Sequence, residues 1–272
     1  MTRNELTDAQ WERLQPLLPP QRPQTGRPAR DHRRILNGMY WILRTGAPWR
    51  DLPEAYGPWQ TVATRFYRWV RSGLLQRLLG ELQRQADAAG DLEWDLHYVD
   101  GTVIRAHQHA AGAKKRGPTY NPAEEALGRS QGGFSTKIHL RAEGGGKPLT
   151  FLITAGQRHE QSAVRPLLAQ GAVKRAGRGR PRLRPRRVAG DKGYASPSVR
   201  AYLRRRGIGA VIPRKKDERR RTRLDRTAYR ERNRIERAIN RLKQYRRIAT
   251  RYEKRAVNYL GMLTLATILS WL

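Results

Sequence analysis

Three acidic side chains, Asp100 in YVDGT, Asp191 in AGDKGYAS and Glu236 in NRIERAIN, are separated widely along the chain and belong to different kinds of element. Aspartates placed at the carboxyl ends of strands point into the crevice at that edge of a sheet. Gathered there with a glutamate from a helix, they could hold two Mg²⁺ ions, hard cations that prefer oxygen ligands. A pair of such ions serves in-line phosphoryl displacement without any cysteine, serine nucleophile or organic cofactor. Each acid has a plainer account on its own: VDGT and GDKGY could be turns, in which Asp and Gly are common.

Glu236 sits in YRERNRIERAINRLKQYRR, residues 229–247, among eight basic residues and one other acid. A helix of roughly 100° per residue places Tyr229, Arg232, Glu236 and Lys243 within about 60° of one another. Ile235, Ala238, Ile239 and Leu242 gather on a neighbouring face that a core would cover. The polar stripe therefore runs beside the buried edge, a carboxylate flanked by cations, suited to gripping a phosphodiester. An ordinary i,i+4 surface pair of Arg232 and Glu236 would present the same residues.

The elements that must position these side chains fall into two groups. Apolar residues at three- and four-residue spacing predict helices over 6–17, 29–45, 59–71 and 73–88, separated by connectors such as GAPWRDLPEAYGPW. From residue 94 the pattern alternates. Strands are expected at 94–104, 136–141 and 148–154, the last two joined by the EGGG turn at 143–146. A helical segment at 166–170, a strand at 187–189, a helix at 196–206, a strand at 209–212 and the helix at 229–247 follow. The expected architecture is a helical unit over 1–90 and an α/β unit over 91–272 with helices on both faces of its sheet. The apolar stretch 256–272 reads as a buried closing helix, too short and too polar for a membrane span.

Charge points to the partner. The chain of 272 residues carries 56 Lys and Arg against 23 Asp and Glu, a formal charge of +33. Such a surplus repels itself unless a polyanion neutralises it, and nucleic acid is the first candidate. The runs 174–187 and 214–223 cannot bury an apolar face; both are expected as mobile basic loops beside the site, settling on a phosphate backbone. The Arg-rich N-terminal helices suit a helix-turn-helix-like reader. The chain has no cysteine, which excludes disulfides and thiolate zinc sites and fits a reducing cytoplasm. His107 and His109, in a stretch expected to be strand, could cap a metal site as HQH, but a polar or DNA-facing role is expected of them; Lys137 and His139 share a face and are expected to look into the crevice.

With these residues in place, a resemblance emerges. Tyr229, Arg232, Glu236 and Lys243 fit the Y-x2-R-x3-E-x6-K signature without a gap, and with Asp100 and Asp191 they resemble the DDE transposases of the bacterial insertion sequence 5 and 4 families. RAHQHAAGAKK, GRSQGGFSTKIHL, TAGQRHE, GDKGYAS and NRLKQYRRIATRYEK resemble the same group, as does LTDAQWERLQPLLP near the N-terminus. Gly101, Ala195 and Ala238-Ile239 depart from the usual pattern, and none of them removes a candidate ligand. The resemblance implies an RNase H-like catalytic domain, two Mg²⁺ or Mn²⁺ ions held by Asp100, Asp191 and Glu236, and excision or transfer of an element bounded by inverted repeats. It makes Arg232 and Lys243 contacts to double-stranded DNA at the transposon end, with Tyr229, Lys192, Arg105, Lys137, Arg246 and Arg247 as further expected DNA contacts. It implies a homodimer or larger synaptic assembly, acting on target DNA in the bacterial cytoplasm at the nucleoid. The rival readings are a non-transposing nuclease of the same fold and an inactive DNA-binding descendant.

Overall fold

The computed structural model describes residues 5–22, 31–111, 122–130, 132–215 and 224–272. Four helices come first: α1 (Asp8–Leu14), α2 (His32–Thr45), α3 (Trp59–Arg71) and α4 (Leu74–Ala89). Their ends follow from local chemistry. Thr7 and Gln10 form a reciprocal capping box at α1, Asp31 caps α2 by accepting from the Arg33 N–H, and Gly46, with φ of 72°, lets the chain leave α2 through the left-handed region.

The sheet that follows is built on β1 (Leu96–Ala106). Strand β3 (Gly133–Ala142) pairs antiparallel along one edge of β1, and β3 in turn carries β2 (Gly128–Ser130) and β4 (Pro148–Ala155) on its far edge. On the other edge of β1, β5 (Arg187–Ala189) pairs parallel, and β6 (Gly209–Val211) pairs parallel to β5. The order β4-β3-β1-β5-β6, an antiparallel meander of three followed by two parallel strands, is the RNase H-like arrangement. A two-residue strand β7 (Thr250–Arg251) pairs with the end of β1 at Arg105 and Ala106.

Neighbouring residues of β1 enter different cores, as the two-residue period of a strand requires. Tyr98 and Ile104 join a cluster formed with α1–α4, with α8 (Asn233–Lys243) and with α10 (Ala256–Trp271). Val99 joins a second cluster with α5 (Gln161–Ala169) and α6 (Pro197–Arg205) on the opposite face. The closing helix α10 is buried as expected, packing on α2, α3, α4 and β4, so one continuous core runs from Leu6 to Trp271. Gly261 permits its closest approach: a Cβ there would lie 2.4 Å from Val70 Cγ2 and 3.2 Å from Phe66 Cζ.

Two expectations are corrected. Residues 229–247 are not one helix but three pieces, α7 (Arg226–Arg230), α8 and α9 (Arg246–Ala249), because the chain tightens between them. The Arg232 N–H bonds Tyr229 O and the Ile235 N–H bonds Arg232 O, three residues back instead of four. The basic run 174–187 is an exposed loop over 174–181, but from Arg182 on it is tied at the edge of the sheet where β1 and β5 begin. There Arg182 covers the Trp94 ring at 4.8 Å, Arg187 pairs with Asp95, and Leu183 O accepts from the buried Arg141 at 2.6 Å. Residues 216–223 of the second basic run lie outside the described residues.

Candidate active site

The edge of β1 facing β5 is only partly occupied. Parallel pairing ends at Tyr98 and Ala189, and β7 does not engage until Arg105. Asp100 and Asp191 each lie two residues beyond that last parallel pair, in the gap where the strands part. Their positions are equivalent in register, which is why residues so distant in sequence meet. Asp100 is therefore not at the end of its strand, as expected, but at the end of its parallel partner.

Asp100 and Asp191 are both half-buried. Asp100 Oδ1 accepts from the Gly101 N–H at 2.9 Å and its Oδ2 from Arg232 Nη1 at 3.2 Å. Burial raises its pKa; the Gly101 N–H and the Arg232 cation oppose that shift, and the charge of Asp191 adds to it. Asp191 caps the short turn Lys192–Tyr194, its Oδ1 accepting from the Gly193 N–H at 2.8 Å.

Glu236 comes from the first turn of α8, which crosses β1 and β3. The turn after β3 fixes this helix. The buried Glu143 carboxylate accepts from the N–H groups of Gly145, Lys147 and Glu93 at 2.8, 2.8 and 3.1 Å. This leaves the Gly144 carbonyl to receive Arg234 Nη1 at 2.7 Å. Gly146, with φ of 86°, lies so close that its Cβ would stand 3.0 Å from Arg234 Cβ. Glu236 reaches the site through Arg232, whose guanidinium bonds Glu236 Oε1 with one nitrogen and Asp100 Oδ2 with another. Burial works against this cation, but Asp100 first and then Glu236 outweigh it and hold its pKa above the usual value.

The other expected contacts divide. Lys192, Arg105 and Arg246 are exposed, and Tyr229 and Lys243 are half-buried on the α7–α8 segment. Arg105 leans on the Gly132 carbonyl. Lys137 and Arg247 are corrected, because neither presents its charge to solvent. Lys137 is 8% exposed and bound to Glu160 at 3.0 Å and to the Arg158 carbonyl at 2.8 Å. Arg247 is 6% exposed, with Glu253 at 2.8 Å and the Ala47 carbonyl at 2.9 Å. Lys137 and His139 do share a face, but register puts them opposite Val103 and Gly101, on the face away from Asp100. His107 and His109 are not on a strand: β1 has ended, and in the following turn their rings approach to 4.4 Å.

Among the described residues no three His, Asp or Glu side chains form a ready metal cage. The donors nevertheless suit a hard divalent cation. They are carboxylate oxygens, Asp100 feels the like charge of Asp191, and a guanidinium already neutralises Asp100 and Glu236 from one side.

The RNase H-like sheet thus carries Asp100 and Asp191 at its central gap, with Glu236 on the helix that crosses it. Residues 97–271 match the family model described as "Transposase DDE domain", and residues 6–79 match "Putative transposase of IS4/5 family". The chain belongs to the DDE transposases of the IS4/5 group and is a DNA transposase. It is 42% identical over 110 residues to protein y4sN of Sinorhizobium fredii, covering 40% of this chain and 83% of that one. It is 30% identical over 141 residues to the "Putative transposase for insertion sequence element IS6501" of Brucella ovis, covering 51% and 99%. A strand transfer complex of Mos1 transposase aligns over 90% of this chain and 78% of its own at 9% identity, with a TM-score of 0.26. Membership of the DDE family implies dependence on a divalent metal. No helix among the described residues is long and apolar enough to cross a membrane.

Proposed function

We propose that this transposase recognises the terminal inverted repeats of an insertion sequence through its N-terminal helices, within residues 1–90. Within residues 91–272 it would cleave and join DNA strands at Asp100, Asp191 and Glu236. The observation that carries this reading is the equivalent placement of Asp100 and Asp191 beyond the last parallel pair, with Arg232 linking Asp100 to Glu236. These three carboxylates would hold Mg²⁺ or Mn²⁺, two ions in all, which supply charge neutralisation for in-line phosphoryl displacement when bound.

The chain's own contribution is position and charge. Arg232 holds two of the acids in register before DNA arrives. Lys192 and Arg246, both exposed, and Lys243 at the end of α8 would take phosphates of the strand. The large positive charge supports non-specific affinity that falls steeply with salt, whereas end recognition requires base contacts from the helical unit. Synapsis of two ends calls for a dimer or larger assembly, working on the nucleoid in the cytoplasm.

The test is a strand-transfer assay with the element's own ends. Glu236→Gln should abolish cleavage and joining while end binding stays nearly unchanged. Cleavage by the mutant at the wild-type rate would remove Glu236 from the mechanism, and cutting by the wild type without joining would make the protein a nuclease.

A further inference from the structure

Glu160 precedes α5 in TAGQRHE, and its side chain does not cap that helix. It turns instead to the strand beneath. A Cβ on Gly101 would stand 3.2 Å from Glu160 Cγ, so the missing side chain at Gly101 is what admits the glutamate to β1. On its other side, a Cβ on Gly193 would stand 3.1 Å from Glu160 Oε2 and 2.9 Å from Asp191 Oδ1. The two carboxylate oxygens face a common point and lie within about 6 Å of each other, a separation a small closing movement would bring to a shared cation.

Two further observations point to a ligand in this space. Tyr194 is 1% exposed, its buried hydroxyl has no hydrogen-bond partner among the described residues, and it feels the charges of Asp100, Glu160 and Asp191 together. His139 Nδ1 is fully buried and likewise without a partner, while Nε2 meets Thr154 Oγ1 at 2.9 Å. That free nitrogen lies 3.6 Å from the same Gly101 position that Glu160 covers. Buried polar atoms without a protein partner beside a carboxylate pair are groups that call for a polar ligand. Among the described residues, the cation paired with Glu160 is Lys137.

We propose that Glu160, on the face of β1 opposite Asp100, is a further carboxylate at the edge of the metal site, held ready by Lys137 and transferred to a divalent cation shared with Asp191. This rests on the reading of Asp191 as a metal ligand. Lys137 keeps its bond to the Arg158 carbonyl when Glu160 leaves it, so the exchange does not strand a buried ammonium.

The experiment is a Mn²⁺ titration of the full chain, followed by the electron paramagnetic resonance signal of free Mn²⁺. Glu160→Gln should weaken Mn²⁺ binding by about tenfold or more. Lys137→Met, which removes the competing cation, should tighten it. Wild-type affinity in Glu160→Gln, with Asp191→Asn impaired, overturns the role of Glu160 alone. Wild-type affinity in Asp191→Asn overturns the reading of the site on which the inference rests. Should Glu160→Gln fail to fold, Lys137→Met decides by itself: unchanged or weaker binding there refutes the exchange.

Discussion

Gly261 offers a direct test of whether the helical N-terminal unit and the catalytic unit share one core. A Cβ at this position would meet Val70 Cγ2 at 2.4 Å, well inside contact distance, and Phe66 Cζ at 3.2 Å. Both partners are on α3 and buried, so neither can swing into solvent. Gly261→Ala gains about 1 kcal/mol of helix propensity in α10. Overpacking a tight core costs about 1–3 kcal/mol, and the clash should win by about 1 kcal/mol. For a chain of this size that lowers Tm by about 2–4 °C. Val70→Ala alone should cost about 2 kcal/mol through lost burial and a cavity. In that background the clash with Cγ2 is gone, so Gly261→Ala should turn stabilising. Urea unfolding followed by tryptophan fluorescence and by circular dichroism reads the cycle, and a coupling of about 2 kcal/mol is expected. Additive effects, or a Gly261→Ala that is stabilising in the wild type, would refute the packing of α10 on α3.

Other consequences follow from buried groups. His97 is fully buried, accepts from Arg141 Nε at 3.0 Å and meets the Glu93 carbonyl at 2.9 Å through its other nitrogen, so it must stay neutral. Burial first and Arg141 second push its pKa well below the usual value. Its contribution to stability is therefore full above about pH 6.5 and lost as pH falls from there toward the folded-state value; His97→Asn should flatten the acid limb of a stability–pH curve. Arg251 is fully buried and donates to the carbonyls of Glu253, Ala126 and Lys254 and to Thr136 Oγ1. Arg251→Lys should cost about 2–4 kcal/mol in urea unfolding, because a single ammonium cannot reach acceptors spread around a planar fork. Gly101→Val should displace Glu160 and reduce Mn²⁺ affinity as Glu160→Gln does, and a normal affinity would mean the approach through Gly101 is unimportant.

Much of the architecture was legible because periodicity is a local signal. The four N-terminal helices, the three antiparallel strands and α10 fall close to where apolar spacing places them. The break at Glu231–Arg232 was not legible. A helical projection continues through any polar run, whereas the actual chain is bent by α8 docking on the turn at Gly144–Gly146, a contact between residues about ninety apart. The run 174–187 misled for a related reason. Charge alone predicts exposure and freedom, but Leu183 O serves a buried arginine on β3 and Arg182 stacks on Trp94, and neither partner can be found by reading the run itself.

The site shows where such reading stops. Asp100 and Asp191 stand out by following expected strands, and Glu236 by lying inside a basic stripe. Lys137 and Arg247 stand among the expected DNA contacts, yet each is itself buried and paired with an acid, Glu160 and Glu253, and only the tertiary fold reveals it. Glu160 is the converse case. It sits in a polar loop where an acid contradicts nothing, and its significance arises from two absent side chains, at Gly101 and Gly193, that open the space in which it meets the β1 strand and Asp191. Glycine in YVDGT and GDKGY reads locally as a turn residue. Its value here is the volume it leaves on the far side of the strand, so the acids and the glycines beside them must be altered together to test how the site is built.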